Sequence, residues 1–220
     1  MRFCFFILIF IGCTNSQNGK SAIINQASSQ ENSKNIDSIP LIKQSTSKKN
    51  WVHTEERYED SLGRAIRVYN SYPRGGAYNS SGQKDGYRIF WTSIVNESTT
   101  PLKLTVEFPI DSFPTLTSPN AYIKALIPPN TMTLEKLELL DFGVTNIKSI
   151  LDNGFKKPSK LEITLNPKEE YFYYTLFLFH ESEGTARSAL VLKGQDLFYR
   201  ISIDSQPPLI IPCGRIEFIN

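Results

Sequence analysis

The 220-residue chain carries 24 Lys and Arg against 22 Asp and Glu, a formal net charge of +2. A charge so nearly balanced gives no field that would gather nucleic acid or anionic lipid, and no cluster of Lys or Arg interleaved with aromatic residues offers a base-stacking surface. With 40% hydrophobic residues the chain has the composition of a folded domain rather than a disordered one.

The chain opens MRFCFFILIFIGC. Arg2 is a short positive start, Phe3 to Ile11 is apolar, and polarity returns immediately after Cys13. A spanning helix needs about 20 apolar residues; this run is too short and has signal-peptide dimensions instead. Its last four residues, Phe10-Ile11-Gly12-Cys13, resemble the lipobox of bacterial lipoproteins, with Phe10 where Leu is usual. The resemblance implies a signal peptide over residues 1–12, diacylglyceryl transfer to the Cys13 thiol, cleavage after Gly12 and acylation of the new amine with a palmitate-type chain. Each buried CH₂ contributes about 0.8 kcal/mol, so two or three chains hold a protein at a bilayer where one does not. An ordinary cleaved signal peptide that happens to contain Cys is the alternative. Loss of the leader removes Arg2 and Cys4 and leaves Cys213 as the one thiol besides Cys13, so no intrachain disulfide is expected.

Residues 14–50 lack any aromatic and are rich in Ser, Asn, Gln and Lys. That composition cannot bury enough apolar surface to offset ordering entropy, and it reads as a flexible tether reaching on the order of 33 Å. The cluster Ile39 to Ile42 reads as an unstructured kink at Pro40. In some lineages with lipoproteins of this kind, an acidic run after the lipidated Cys directs the protein to the cell surface. Thr14 to Lys20 contains no acid, which favours the periplasmic face of the outer membrane. Asp37-Ser38-Ile39 and Asp60-Ser61-Leu62 resemble a bacterial O-glycosylation triplet, although so short a pattern arises readily by chance.

Residues 51–220 fit one domain. Period-two alternation runs through it. Arg64 to Tyr72 puts Ile66, Val68 and Asn70 on one face; Tyr87 to Asn96 is aromatic and β-branched; Pro101 to Pro109 puts Leu102, Leu104, Val106 and Phe108 on one face. Further strands are expected over 122–127, 161–165, 171–180, 186–192, 197–203 and 213–219, separated by Asn166-Pro167, Glu183-Gly184, Gly194-Gln195 and Pro207-Pro208. The pattern predicts a mainly β, antiparallel sandwich, immunoglobulin-like or similar. Thr131 to Gly143 breaks the alternation. Leu134, Leu137 and Leu140 recur at helical spacing, with Thr131 or Thr133 to cap and Gly143 to stop. A second short helix is expected over 146–152, and the pair should cover an open end or edge of the sandwich. Tyr171 to Phe179 is apolar on both faces, as in a central strand covered on both sides.

Little in the domain nominates chemistry. The two histidines are His53 and His180. His180 and Glu181 point to opposite faces of a strand, and Glu183 follows at a turn, so His180 reads as a strand-end residue rather than a metal ligand. Cys213 reads as a small buried hydrophobe. No catalytic, metal or cofactor site is expected. The richest stretch is Asn70 to Gly86, where Tyr72, Arg74 and Tyr78 accompany Gly75-Gly76, Gly82 and Gly86. Glycines admit an anion to the backbone, Arg offers a planar donor fork and Tyr a stacking surface, a combination suited to a protein or glycan partner; the alternative is a hairpin loop. The leading expectation is a lipid-anchored, non-enzymatic envelope domain. An envelope hydrolase or carbohydrate-active enzyme would instead converge ionisable groups in a cleft, from among Asp60, Asp85, Glu107, Asp111 and His180. A structural subunit would show a broad apolar patch.

Overall fold

The computed structural model describes residues 48–78, 85–182 and 184–219. Cys13, the rest of the leader and the tether to residue 47 lie outside them, as do Gly82 and Glu183.

The body is mainly β and fully antiparallel. Among the described residues twelve strands run in chain order: β1 Val52–Glu59, β2 Ala65–Ser71, β3 Arg74–Tyr78, β4 Asp85–Asn96, β5 Leu102–Phe108, β6 Phe113–Pro114, β7 Tyr122–Leu126, β8 Ser159–Leu165, β9 Glu170–His180, β10 Ala186–Lys193, β11 Asp196–Ile203 and β12 Leu209–Phe218. One sheet has the order β1-β2-β4-β9-β7-β6, with β3 also on β4; the other has the order β10-β11-β12-β5-β8. The long β4 accommodates two neighbours on one side, β2 along residues 92–96 and β3 along 85–89.

The alternation read from the sequence is the packing. Leu102, Leu104, Val106 and Phe108 are all fully buried, while Glu107 between them is exposed. These side chains meet Ile66, Val68, Phe90, Ile94, Tyr173, Phe177 and Phe179 across the interface between the sheets. Complete burial contributes about 1.5–3 kcal/mol per large apolar side chain. Phe177 sits at the aromatic centre, 5.7 Å from Phe90, 6.2 Å from Phe108 and 5.8 Å from Tyr199 between ring centroids.

This core also holds a polar thread. Tyr199 Oη lies 2.6 Å from Thr175 Oγ1 and 3.1 Å from Thr92 Oγ1, and donates to Tyr173 Oη at 3.2 Å. Asn70 continues it. Its Oδ1 accepts the Leu190 N–H at 2.8 Å, and its Nδ2 donates to the Leu190 carbonyl at 3.3 Å and to Thr54 Oγ1 at 3.0 Å. The carboxamide thus treats β10 as a neighbouring strand would, and ties one sheet to the other.

β9 is covered on both sides, as its two-faced apolarity predicts. Its even-numbered residues Tyr174, Leu176 and Leu178 join Ile89 and Trp91 in a second cluster, closed by Leu126, Met132, Leu137, Phe142, Val144 and Leu151. The covering segment is where the sequence expectation needs correction. Residues 131–143 do not form one helix. Two short 3₁₀ turns, Leu134–Lys136 and Leu140–Gly143, are separated by extended Leu139, and Asp141, Phe142 and Gly143 all have positive φ (48°, 53° and 73°). A left-handed residue other than glycine costs roughly 1–2 kcal/mol. Here burial of Phe142, the Tyr87 hydroxyl donating to Asp141 Oδ2 at 2.6 Å and the Tyr174 hydroxyl donating to the Phe142 carbonyl at 2.6 Å oppose that cost. A true helix, α1, follows at Ile147–Gly154. Together these pieces cover the outer face of the first sheet rather than an end of the sandwich.

Candidate functional site

The sequence-nominated residues Tyr72, Arg74 and Tyr78 do not converge on a common space. Two of the three fasten the cover. The Arg74 guanidinium lies 4.4 Å from the Trp51 ring and 4.8 Å from the Phe142 ring, and donates to the Leu139 carbonyl. The Tyr78 hydroxyl donates to Asp152 on α1, and burial with that contact pushes its pKa up to about 12. Tyr72 is exposed, beside the His53 ring at 5.0 Å and the Arg187 guanidinium at 5.5 Å. The glycines beside them serve the strand: Gly75 has φ 149°, and a Cβ there would lie 2.1 Å from the Tyr87 carbonyl oxygen. The stretch read as a loop is thus β3 against β4 over its described residues.

Of the ionisable groups that an enzyme would bring together, Asp85 and His180 do meet. They are 95 positions apart, paired across β4 and β9, and the His180 Nδ1–H donates to Asp85 Oδ1 at 2.7 Å. Tyr122 stacks on the His180 ring at 4.4 Å, and both members of the pair are buried. Neither lines either of the two concavities described below. Among the described residues no group of three His, Cys, Asp or Glu side chains is placed to hold a metal. Cys213 is buried within β12, and burial pushes its thiol pKa far up, away from nucleophilic use.

A concavity missed by sequence reasoning lies at an interrupted sheet edge. β7 pairs with β9 only from Leu126↔Leu176 to Tyr122↔His180. Pro128 and Pro129 then follow; proline has no N–H to extend a ladder, and the chain turns away, the Ile127 N–H going to Ser159 Oγ at 3.0 Å. Among the described residues, β9 from Tyr171 to Thr175 therefore has a strand on its β4 side only. β8 is the terminal strand of the other sheet. Both edges border one groove of about 660 Å³, lined by Tyr171–Tyr174 of β9, Ser159–Leu161 of β8, Ile150 and Asn153 of α1 and the 126–131 turn. Tyr171, Phe172, Ile150 and Leu161 are half-buried, and Lys157 and Lys160 stand exposed at its rim. In its wall Asn130 Oδ1 is buried without a hydrogen-bond partner. The size is that of a ligand site, and a free acceptor beside unpaired strand is suited to main-chain donors.

A second concavity of about 380 Å³, lined by Tyr58, Arg64, Ile66, Leu192, Ile216 and Phe218 among others, has its charges already engaged. Asp60 accepts the N–H groups of Leu62 and Arg64 and the Arg64 side chain, and Arg64 in turn lies 4.3 Å from the Phe218 ring. Ser61 and Leu62 are exposed at the β1–β2 turn beside it. Among the described residues no helix is long and apolar enough to cross a membrane. No protein-family model matches the chain, and no curated protein matches it.

Proposed function

We propose that this chain is a lipid-anchored protein of the bacterial cell envelope whose folded body binds an extended segment of polypeptide in the groove beside β9. The anchor reading rests on the leader, where the apolar run ends in Gly12-Cys13; the lack of an acid from Thr14 to Lys20 supports the periplasmic face of the outer membrane. The binding reading rests on one observation: the free edges of β9 and β8 border a single groove. An added strand supplies alternating main-chain donors and acceptors to such an edge and sends every second side chain to its walls. The preferred peptide alternates apolar and polar residues and carries an acid to face Lys157, which has no ion pair among the described residues.

Two measurements test this. Mass spectrometry of the natural protein should find a mature chain beginning at an acylated Cys13; another start, or no lipid, overturns the anchor. A ten-residue peptide of alternating Val and Thr with an Asp at one end, at saturating concentration, should slow amide hydrogen exchange at Tyr171–Tyr174. Asn153→Trp, which fills the mouth of the groove from an exposed helical position, should abolish the effect. No slowing, or equal slowing in the variant, overturns the groove reading.

A further inference from the structure

We propose that the polypeptide taken by this groove is a free C-terminus, its last residues running parallel to β9 and its terminal carboxylate seated at Lys157. The proposal rests on the peptide-binding reading above and names the peptide's end and direction.

The main chain of β9 fixes where an added strand can bond. The Asn96 N–H goes to the Glu169 carbonyl on the β4 side, and main-chain groups alternate sides along a strand. Those of Tyr171 and Tyr173 therefore face β4 as well, and those of Phe172 and Tyr174 face the groove. Each of these two offers one donor and one acceptor. The next rung in the series, Leu176, is already paired with Leu126 of β7.

One end of the groove is thus blocked. From Leu176 onward the place beside β9 belongs to β7, and the chain around that stop is tightly packed. A Cβ on Gly154 would lie 2.5 Å from Leu126 Cδ2, and Ser159 Oγ accepts the Ile127 N–H at 3.0 Å. At the other end Asn166 to Glu170 are all exposed, so a bound chain leaves there freely. A strand seated on both open rungs must stop or turn out of the sheet at Leu126, and a chain terminus stops there without a turn.

Charge decides which terminus. Lys157 lies between Gly154 and Ser159 in the chain, which places it at the blocked end. Among the described residues lining the groove, the charged ones are Lys157 and Lys160, and Lys160 is paired with Glu162 at 2.8 Å. An α-ammonium brought there meets a like charge, whereas an α-carboxylate meets an opposite one. Since β9 itself proceeds from Tyr171 towards Leu176, a chain ending at the blocked end runs parallel to it. Pro128 and Pro129 bring no N–H to that end, so the carboxylate relies on the lysine. Asn130 Oδ1, buried without a partner, is left for a peptide N–H. A groove built this way selects tails over internal loops.

The probe is an N-acetylated ten-residue peptide of alternating Val and Thr, made with a free carboxylate, as the C-terminal amide, and as an amide whose last residue is Asp. Titrated against the full chain and read by amide hydrogen exchange at Phe172 and Tyr174, the free acid should bind at least fivefold more tightly than either amide. Lys157→Gln, at an exposed position, should remove that difference and leave the affinity of the plain amide unchanged. A nitroxide at the N-terminus of the free-acid peptide should broaden the resonances of Asn166–Glu170 and spare Lys157–Ser159. Equal binding of acid and plain amide, a difference that survives Lys157→Gln, or broadening at Lys157–Ser159 overturns the proposal. So does equal binding of the Asp-ended amide, which would make the recognised acid a side chain. In each of those cases the peptide still protects the edge and the groove reading stands; if no form protects Phe172 and Tyr174, both fall.

Discussion

Replacing Asn70 by Ala tests the connection between the two sheets. Asn70 is 2% exposed, and its carboxamide engages both main-chain groups of Leu190, itself fully buried. Ala leaves the Leu190 N–H without its 2.8 Å acceptor, at about 1–3 kcal/mol for an unsatisfied buried group. Loss of the amide volume and of the Thr54 contact adds about 1–2 kcal/mol. The expected total is about 2–5 kcal/mol, above the ~1 kcal/mol of an average substitution and a large share of a domain's 5–15 kcal/mol. With a urea slope of about 1–3 kcal/mol per molar, the unfolding midpoint should fall by at least about 0.7 M with the slope unchanged. Asn70→Asp should do no better. It keeps one acceptor but turns an oxygen towards the Leu190 carbonyl and buries a carboxyl. A loss below about 1 kcal/mol for Asn70→Ala would mean that Leu190 is satisfied another way and that the clasp carries no energy.

Arg74→Ala removes a guanidinium held by two rings and a carbonyl. It should cost about 1–2 kcal/mol and speed exchange of the Leu137–Val144 amides about tenfold, with Arg74→Lys failing to restore it because a point charge cannot bridge both rings. Gly75→Ala forces a Cβ to 2.1 Å from the Tyr87 oxygen at a φ that L side chains avoid; thermal unfolding should show a loss of at least about 2 kcal/mol. Stability should hold a plateau between about pH 5 and pH 10 and fall on both sides. Burial raises the Glu97 carboxyl pKa, but Arg57 and Arg67 more than reverse this, so its folded value lies below the ordinary one; Lys103 and Lys160 hold Glu162 at about 2. Both contributions are present above the unfolded carboxylate range and are lost as pH falls through the depressed values. Burial pushes Tyr87, Tyr174 and Tyr199 up to about 12; their contribution is complete below pH 10 and is lost as pH rises towards 12. Urea midpoints across pH 2–12 check both limbs.

What was legible in the sequence was the part governed by local periodicity. β2, β4, β5 and β7 to β12 follow apolar alternation, and β9's double apolarity correctly places it between two covered faces. β1 escaped notice because VHTEERYE is an edge strand whose outward positions carry charge, Glu55, Arg57 and Glu59 among them. β3 was hidden by its glycines, which look like a loop until Tyr87 is seen lying against one of them. The misread helix shows the limit of spacing. Leu137 is buried, but Leu140, three residues on, is 84% exposed, because the left-handed turn spends Phe142 on the core instead. The Asp85–His180 pair joins residues 95 positions apart, and the Arg74 guanidinium reaches the Leu139 carbonyl 65 positions on; nothing local announces either. The groove did leave a trace. Pro128-Pro129 says that β7 must stop, and a strand that stops early leaves its neighbour uncovered.

Both tryptophans of the chain, Trp51 and Trp91, lie in the outer cluster, and the interface between the sheets contains none. Indole fluorescence is therefore a private signal of the cover, while the tyrosines Tyr173 and Tyr199 report from the sandwich interior. A cover that loosened before the sheets separated would show itself as two transitions, read in one cuvette from the natural protein without any label.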